Sequence, residues 1–253
     1  MNVFSIFAGP VATVLRGIHY ALSHYVGLKA SSGPAWALSI ILLTITVRLL
    51  LFPLFVKQIH SQRRMQQLAP QIKELQTRHK GDRETLNKEL MGLYKDNNAN
   101  PISGCLPLVL QLPVFFALFR VMNEFRPKNG QFHAKYGLSE ELLKQGAHAK
   151  IFGAPISAAL NSSPALLHEL NGSQTAVRIV AVVMIVLMGA STFWTQRQMM
   201  ARAGTTVDKQ QQQVQKFMLY VLPFSFAIFG FSFPIGVLLY WLTTNLWSMG
   251  QQH

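Results

Sequence analysis

The sequence has little charge and almost no cysteine. Only 13% of its 253 residues are charged, whereas about 25% is usual for soluble globular domains. The single cysteine, Cys105, excludes an intrachain disulfide and a cysteine-based zinc site, so we assign it a packing role. Half of the residues are apolar. This composition favours a lipid bilayer over water as the solvent of the chain.

Acidic residues are the scarcer charge. The chain has 10 Asp and Glu against 23 Lys and Arg, which leaves a net charge of +13. Such a charge suits anionic lipid headgroups and nucleic acid equally well, so the positions of the charges must decide between them.

Motifs that carry enzymatic chemistry are also missing. The sequence has no glycine-rich phosphate loop, no paired carboxylates and no nucleophile beside a base. Histidines near the ends of the apolar stretches have no paired ligand spacing; they are His19, His24, His60 and His79. We therefore expect no enzyme, no metal site and no cofactor.

Four apolar stretches are long enough to cross a bilayer, which takes about 20 helical residues. Three of them correspond to single spans. The last, Phe217 to Trp247, is too long for one helix and has Gly230, Pro234 and Gly236 near its middle. It is expected to form two short spans joined by a tight turn. The sequence thus predicts an all-α polytopic membrane protein with five transmembrane helices.

Lysine and arginine set the orientation of these spans. Residues 57–101 and 197–216 contain 13 of them, whereas residues 126–175 contain five. Because positive charge favours the cytoplasmic side, we expect the N-terminus outside and the C-terminus in the cytoplasm. The expected segments are an outer interfacial helix at 1–34, transmembrane helices at 35–56, 102–125, 176–197, 216–231 and 232–249, a cytoplasmic helical hairpin at 57–101, an extracytoplasmic loop at 126–175, a cytoplasmic loop at 198–215 and a cytoplasmic C-terminus at 250–253.

The N-terminal segment is expected to lie along the membrane surface. Gly9-Pro10 breaks its first apolar run, and an amphipathic pattern starts at Val11. A sixth span is the alternative, but it would upset the charge asymmetry. The apolar face expected for this helix comprises Val14, Leu15, Ile18, Leu22 and Val26.

The connections between the spans differ in pattern. Residues 57–101 predict two amphipathic helices that fold back at Lys80-Gly81-Asp82. Their charges form either a solvated face or a docking site for partners. The outer loop at 126–175 has one weak helical stretch, Leu138 to Gln145, and is expected to be poorly ordered. The loop at 198–215 is typical of a short flexible linker.

Arg48 is the most informative residue, because it lies within the first span among aliphatic residues. An arginine at a helix centre costs about 2.5–3.5 kcal/mol on insertion scales. No Asp or Glu lies in the apolar runs of the expected spans, at 36–56, 102–122, 176–194 and 217–247, so its guanidinium requires water, hydroxyls or carbonyls, which predicts a water-filled cavity. In the alternative, Arg48 reaches the cytoplasmic headgroups, although Lys57 is about 13 Å away along the helix. The candidate hydroxyls are those of Thr44, Ser225, Thr243 and Thr244.

Aromatic residues of the last span are further candidates. Tyr240, Trp241 and Trp247 either line the same cavity or act as anchors at the membrane interface.

Three motifs resemble the YidC insertases. The first is TVRLLLFPL, which the charged hairpin follows. The second, after the hairpin, is NPISGCLPLVLQLPVF. The third is MLYVLPFSFAIFGFSFPIGVLLYWLTTN, with the order of Pro, Phe-Pro-x-Gly and Leu-Tyr-Trp seen in that family. The similarity covers residues 35–125 and 176–248 in the same order.

The resemblance implies a bacterial cell-membrane protein that inserts and folds newly made membrane proteins. Such proteins work alone or with the Sec translocon, through a hydrophilic groove that is open to the cytoplasm and lipid. The family's intramembrane arginine would be Arg48, its groove hydroxyl Thr44, and its aromatic position Tyr240-Trp241, of which Trp241 is favoured. The hairpin would receive nascent clients or touch targeting factors.

Two features depart from the family pattern. The outer loop at 126–175 is longer than in many relatives, and the chain stops at His253 without the long basic tail by which some relatives contact ribosomes. Ribosome contact through a tail is therefore not expected, and the linker around Arg202 and Lys209 would have to contribute to any such contact.

Two other functions remain open. An anion channel or small-solute transporter would also use an intramembrane arginine, although no internal repeat is visible. A basic nucleic-acid-binding protein is suggested only by the net charge, and we expect no specific nucleic acid partner.

Overall fold

The computed structural model describes residues 3–97, 99, 106–203, 213 and 216–251. Cys105, Lys209 and most of the expected 198–215 linker therefore lie outside the described residues. Helices dominate the described part, together with a short antiparallel pair of strands, β1 (Lys150–Ile151) and β2 (Ala154–Pro155). The helices are α1 (Val3–His24), α2 (Gly33–Leu50), α3 (Phe52–Gln67), α4 (Ala69–Arg78), α5 (Arg83–Asp96), α6 (Leu106–Glu124), α7 (Glu140–His148), α8 (Pro164–Glu169), α9 (Gln174–Ala203), α10 (Leu222–Phe229) and α11 (Ile235–Gln251).

Among the described residues, two helices are long and apolar enough to cross a bilayer. They are α2 and residues 174–198 of α9. Helix α9 continues to Ala203, into the segment expected to be a linker. The expected count of five spans stays a prediction.

The first expected span is interrupted before its end. Helix α2 stops at Leu50, and Leu51 separates it from α3, so the helix does not run continuously to Val56. Pro53 explains the break, because proline fits the first turn of a new helix but not a helix interior. Arg48 consequently lies in the last turn of α2, where the helix dipole favours positive charge.

The C-terminal apolar region splits as expected. A π-helical turn, Phe217–Val221, leads into α10, and a 3₁₀ turn, Gly230–Ser232, separates α10 from α11. Gly230 packs closely on α9, since a Cβ there would lie 3.0 Å from a side-chain carbon of Ile185. The expected tight turn is therefore confirmed.

Residues 57–99 contain the expected helical hairpin. Gly81 has a φ of +108°, which favours glycine at the turn, and the Asp82 carboxylate accepts the Thr85 N–H at 3.1 Å. The first arm is divided at Leu68 into α3 and α4, because Pro70 starts a new helix. The predicted apolar seam is confirmed and comprises Met65, Leu68, Ile72, Leu75, Leu86, Leu90 and Leu93, with Tyr94 and Ala99.

Helix α1 differs from the expectation in two ways. It begins at Val3 and passes through Pro10, so the break predicted at Gly9-Pro10 is wrong. Val14 on this helix and Val26, two residues beyond its end, are exposed, although both were expected on the apolar face. Packing against α2 and α6 determines the buried face and offsets the cost of an internal proline. That buried face comprises Ala8, Val11, Ala12, Leu15 and His19.

The 126–175 loop, here called the outer connection, is folded, so the expectation of poor order is wrong. It contains α7, α8 and the β1–β2 pair, and many of its apolar side chains are fully buried. The contacts that bury these side chains join residues far apart in the sequence, so the local sequence pattern did not predict them. The fully buried apolar residues of the outer connection are Ala147, Ala149, Ala154, Ile156, Ala158, Ala159, Leu143 and Leu170.

One apolar core joins the outer connection to the N-terminal ends of α2 and α11 and to the C-terminal half of α6. Trp36 lies at its centre, with its ring 3.9 Å from the stacked ring of His19 and 4.8 Å from that of Phe125. We call this cluster the outer core. It includes Trp36, Ile40, Leu118, Met122, Phe125, Leu138, Ile156, Val237 and Leu238.

Candidate functional site

Arg48 is buried at the C-terminal end of α2, with only 4% of its surface exposed. Its Nη2 donates to the Ser248 hydroxyl at 3.0 Å and to the Thr244 carbonyl at 3.3 Å, both on α11. The guanidinium carbon lies 5.1 Å from the ring centre of Phe55. Carbonyl, hydroxyl and aromatic ring together supply the neutral partners that a charge without a counter-ion requires.

A second set of contacts joins α6 to α11. Gln111 donates through Nε2 to the hydroxyls of Tyr240 and Thr244, the latter at 3.3 Å. All three side chains are buried. Thr244 therefore links Gln111, through its hydroxyl, to Arg48, through its carbonyl.

A third set joins α9 to α11. Asn245 Nδ2 donates to Thr192 Oγ1 at 2.8 Å and to Ser191 Oγ at 3.0 Å. Trp241 Nε1 also donates to Thr192 Oγ1, at 3.4 Å. The hydroxyl of Thr192 is thus shared by two donors from one turn of α11.

These contacts form one polar layer between α2, α6, α9 and α11, which we call the polar cluster. Two buried polar atoms in it, Arg48 Nε and Gln111 Oε1, have no hydrogen-bond partner among the described residues. Buried polar atoms are nearly always satisfied by protein or water, so this layer is chemically suited to hydration. Its members are Arg48, Gln111, Ser191, Thr192, Tyr240, Trp241, Thr244, Asn245 and Ser248.

The side chains of this layer are suited to binding polar groups. Within the described ranges, no group of three or more His, Cys, Asp or Glu side chains could hold a metal ion. The cluster offers one fixed positive charge, several hydroxyls and two amides. Such a set attracts anionic and polar groups of another chain.

Comparison with known proteins places this arrangement in a family. A family model described as 60Kd inner membrane protein matches residues 27–253. A protein of Mycobacterium tuberculosis named Membrane protein insertase YidC is 34% identical over 258 residues, covering 96% of this chain and 70% of the relative. The chain belongs to the YidC family.

Other relatives with the same printed name extend the match. The Streptomyces avermitilis protein is 44% identical over 252 residues, covering 99% of this chain and 58% of the relative. A Tropheryma whipplei protein is 36% identical over 260 residues, covering 96% of this chain and 81% of the relative. This YidC-family chain therefore spans just over half the length of the Streptomyces relative.

Four of the site residues expected from the sequence meet in the polar cluster of this YidC-family chain. Arg48, Tyr240 and Thr244 are linked through the contacts described above. Trp241 joins through Thr192, and Thr44 lies one turn before Arg48 on the same face of α2. The Thr44 hydroxyl donates to the Ile40 carbonyl of its own helix at 2.7 Å.

Ser225 is not brought into the polar cluster. It lies on α10, and its hydroxyl donates to the Val221 carbonyl at 2.7 Å, within the same helical segment. Thr243 likewise donates to Leu239 of its own helix. A hydroxyl in an apolar helix can satisfy itself on its own backbone, so its presence alone does not identify a cavity.

The aromatic alternatives are separated by burial. Tyr240 is fully buried and Trp241 is 5% exposed, with its ring centre 5.3 Å from that of Phe115. Their placement is that of cluster and core residues, which excludes a role as anchors at the membrane interface.

Several cluster residues were not singled out from the sequence. They are Gln111, Ser191, Thr192, Asn245 and Ser248. Gln111 left a signal, since it is the one strongly polar residue between Leu106 and Phe119. Asn245 and Ser248 lie in the last two turns of α11, where polar residues are ordinary, and Ser191 and Thr192 are small hydroxyl residues within α9.

Proposed function

We propose that this chain inserts and folds newly made proteins in the bacterial cell membrane, and that the polar cluster is the groove that receives them. The observation that carries the proposal is Arg48, a buried charge that no carboxylate of the described residues pairs with, at one end of an apolar helix. The names printed for the relatives agree with this function.

The proposed topology has five spans, formed by α2, α6, α9, α10 and α11. The N-terminus and the outer connection are outside, whereas the hairpin α3–α5 and the C-terminus are cytoplasmic, as the charge asymmetry favours. Helix α1 then lies at the outer surface of the membrane. The proposal that α9 and α10 face lipid is supported by their exposed apolar side chains, which include Ile179, Val183, Val186, Phe224 and Ile228.

The outer end of the groove is closed in this proposal. The outer connection packs directly on α11, whose Ile235 and Gly236 N–H groups donate to the carbonyls of Ala158 and Ile156 at 2.9 and 2.8 Å. These bonds satisfy two donors that a helix N-terminus otherwise leaves free. A polar tail that enters from the cytoplasm therefore stops below the outer core.

The mechanism follows from the position of the polar layer. A hydrated groove that reaches part of the way across the bilayer shortens the apolar barrier for a client's polar tail. Arg48 attracts acidic residues of that tail. Transfer of the client's apolar segment into lipid supplies the driving free energy, at about 25 cal/mol per Å² of apolar surface, so nucleotide hydrolysis is not required.

The proposed partners are nascent membrane proteins and the surrounding lipid. The Sec translocon, targeting factors and the ribosome are further partners that the family assignment suggests. The hairpin α3–α5, which projects from the end of α2, is the surface proposed to receive them.

The experiment reconstitutes the whole chain in liposomes and follows a single-span client by protection of its N-terminal tail from external protease. Two clients are compared, one with an acidic tail and one with a neutral tail. Arg48→Ala is expected to reduce insertion of the acidic client about tenfold, which corresponds to about 1.4 kcal/mol, and to affect the neutral client less. Arg178→Ala, an exposed arginine of α9 outside the cluster, is the matched control.

The possible outcomes separate the function from the mechanism. Insertion that exceeds empty liposomes but ignores Arg48→Ala would retain the insertase and reject the electrostatic role. Absence of insertion, together with an Arg48-dependent anion conductance in the same liposomes, would instead establish the channel alternative.

A further inference from the structure

A group of basic and hydroxyl side chains on α3 lines a surface cavity of about 260 Å³. Its residues, Lys57, His60, Ser61 and Arg64, follow the spacing i, i+3, i+4 and i+7, so they share one face of the helix. Lys57, His60 and Arg64 are exposed and Ser61 is half-buried. The polar cluster contributes none of the lining residues, so this cavity is distinct from the groove.

The charged side chains of α3, which lines this cavity, have one sign. No Asp or Glu occurs in the sequence before Glu74, and α3 carries Lys57, Arg63 and Arg64. Further along the hairpin charges of both signs occur, as in the 2.7 Å ion pair between Arg78 and Glu74. An anion at the start of the hairpin therefore meets no repelling carboxylate on α3.

The cavity also lies next to an apolar surface. Leu49, Leu50 and Phe52, at the junction of α2 and α3, are 56%, 74% and 48% exposed. Lys57 follows Leu51 by six residues, which is about 9 Å of helix. The headgroup layer on each side of a bilayer is roughly 5–7 Å thick, so the two surfaces match adjacent layers of a membrane.

We propose that Lys57, His60, Ser61 and Arg64 bind the phosphodiester headgroup of an anionic phospholipid from the cytoplasmic leaflet. Arg64 and Lys57 supply the positive charge, and Ser61 and His60 supply further hydrogen-bonding groups for phosphate oxygens. The exposed leucines and Phe52 contact the acyl chains. A soluble anion would use only the basic face, whereas a lipid uses both surfaces.

Binding of this kind would hold α3 at the membrane surface, next to the entrance of the groove. The side of the membrane rests on the topology proposed above, but the binding itself needs no insertase activity. Its measurement can therefore fail while client insertion succeeds, and the reverse can also occur.

The test uses the full chain in neutral detergent and measures bound lipid by native mass spectrometry during titration with phosphatidylglycerol or phosphatidylcholine. Wild type is expected to retain phosphatidylglycerol in preference to phosphatidylcholine. The double variant Lys57→Gln/Arg64→Gln is expected to bind it about thirtyfold more weakly, because two charges next to the headgroup are lost. The control Lys80→Gln/Arg83→Gln removes the same charge at the tip of the hairpin and should bind as wild type does.

Two further measurements separate loss of charge from misfolding and a lipid from a soluble anion. The charge-conserving variant Lys57→Arg/Arg64→Lys should retain lipid binding, which separates loss of charge from loss of folding. Displacement of the lipid by equimolar inorganic phosphate would assign the cavity to a soluble anion and overturn the lipid proposal. Equal retention of the two lipids, or an equal loss in the hairpin-tip control, would also overturn it.

Discussion

The two ends of the bundle differ in how they are packed. In the outer core, Trp36, Phe125 and Ile156 are fully buried among apolar neighbours, and the outer connection closes over them. At the other end, Arg48 and Gln111 are buried as well, but each keeps a polar atom without a partner among the described residues. The outer end also keeps buried polar atoms without a partner among the described residues, such as Trp36 Nε1 and His19 Nε2. Burial is therefore similar, whereas the buried side chains are mostly apolar at the outer end and mostly polar around Arg48.

This difference indicates that the two ends have different roles. Close apolar packing stabilises the fold, whereas a buried charge with polar neighbours costs stability and persists where binding needs it. Substitutions at the outer end should thus change stability. Substitutions at the end that contains Arg48 and Gln111, here called the inner end, should change insertion.

The largest expected effect is at Trp36. Trp36→Ala removes a fully buried ring stacked on His19, which should lower the free energy of unfolding by about 3–5 kcal/mol. Denaturant unfolding of the purified chain in detergent measures this loss. A loss below about 1 kcal/mol would mean that the outer core is not the stable part of the molecule.

A smaller but specific effect is expected at Gly33, where α2 meets the outer connection. A Cβ at this position would overlap the backbone carbonyl of Lys150, so Gly33→Ala must displace β1. We expect a loss of about 1–3 kcal/mol, measured in the same way. Gly17→Ala is the matched control, since a Cβ there meets no atom within 4 Å, and it should be neutral or stabilising.

At the inner end the expected pattern reverses. Thr244→Val keeps the side-chain shape but removes the hydroxyl that accepts from Gln111, so stability should fall by only about 0.5–1.5 kcal/mol. Insertion of the acidic-tailed client should fall severalfold in the liposome assay. Thr243→Val, whose hydroxyl serves only Leu239 of its own helix, should leave insertion unchanged. Equal effects of both substitutions would remove the distinction between the two threonines.

The smallest expected effect concerns pH at the outer end. Burial lowers the pKa of His19 below its ordinary value of 6.5, although a hydrogen bond to the Ala30 backbone opposes this shift. A depressed histidine pKa means that protonation disfavours the folded state. Stability is therefore complete above pH 6.5 and declines as the pH falls through that value, by at most about 1.4 kcal/mol per pH unit.

The control for this effect is His19→Phe, which keeps an aromatic ring against Trp36 but cannot be protonated. Unfolding of wild type and variant at pH 5.5 and pH 7.5 should show a smaller pH dependence in the variant. The same pH dependence in both would exclude His19 as its source.

Features that depend on local sequence could be predicted, whereas features that depend on tertiary contacts could not. Arg48 was identifiable because a charge among aliphatic residues has a known cost, and the turn at Gly81 and the split at Gly230 follow from local backbone rules. The break at Leu51 was also foreseeable, because Pro53 limits α2 by a local steric rule.

The outer core could not be predicted in the same way. Ile156, Ala158 and Gly236 are ordinary residues locally, and their role arises only when the outer connection reaches α11. Ser225 illustrates the opposite error, since a hydroxyl in a span was expected to face the cavity but is satisfied by its own helix. Tertiary contacts of this kind are not encoded in short-range spacing.

Water access along α11 tests the contrast between its two ends most directly. Val237 and Thr244 are both buried and lie two turns apart on the same face of this helix. In a Cys105→Ser background, Val237→Cys and Thr244→Cys would each be treated with a membrane-impermeant thiol reagent from the cytoplasmic side of oriented vesicles. We expect labelling at position 244 and none at position 237, whereas equal labelling at both positions, or no labelling at 244, would contradict a hydrated inner end beneath a sealed outer core.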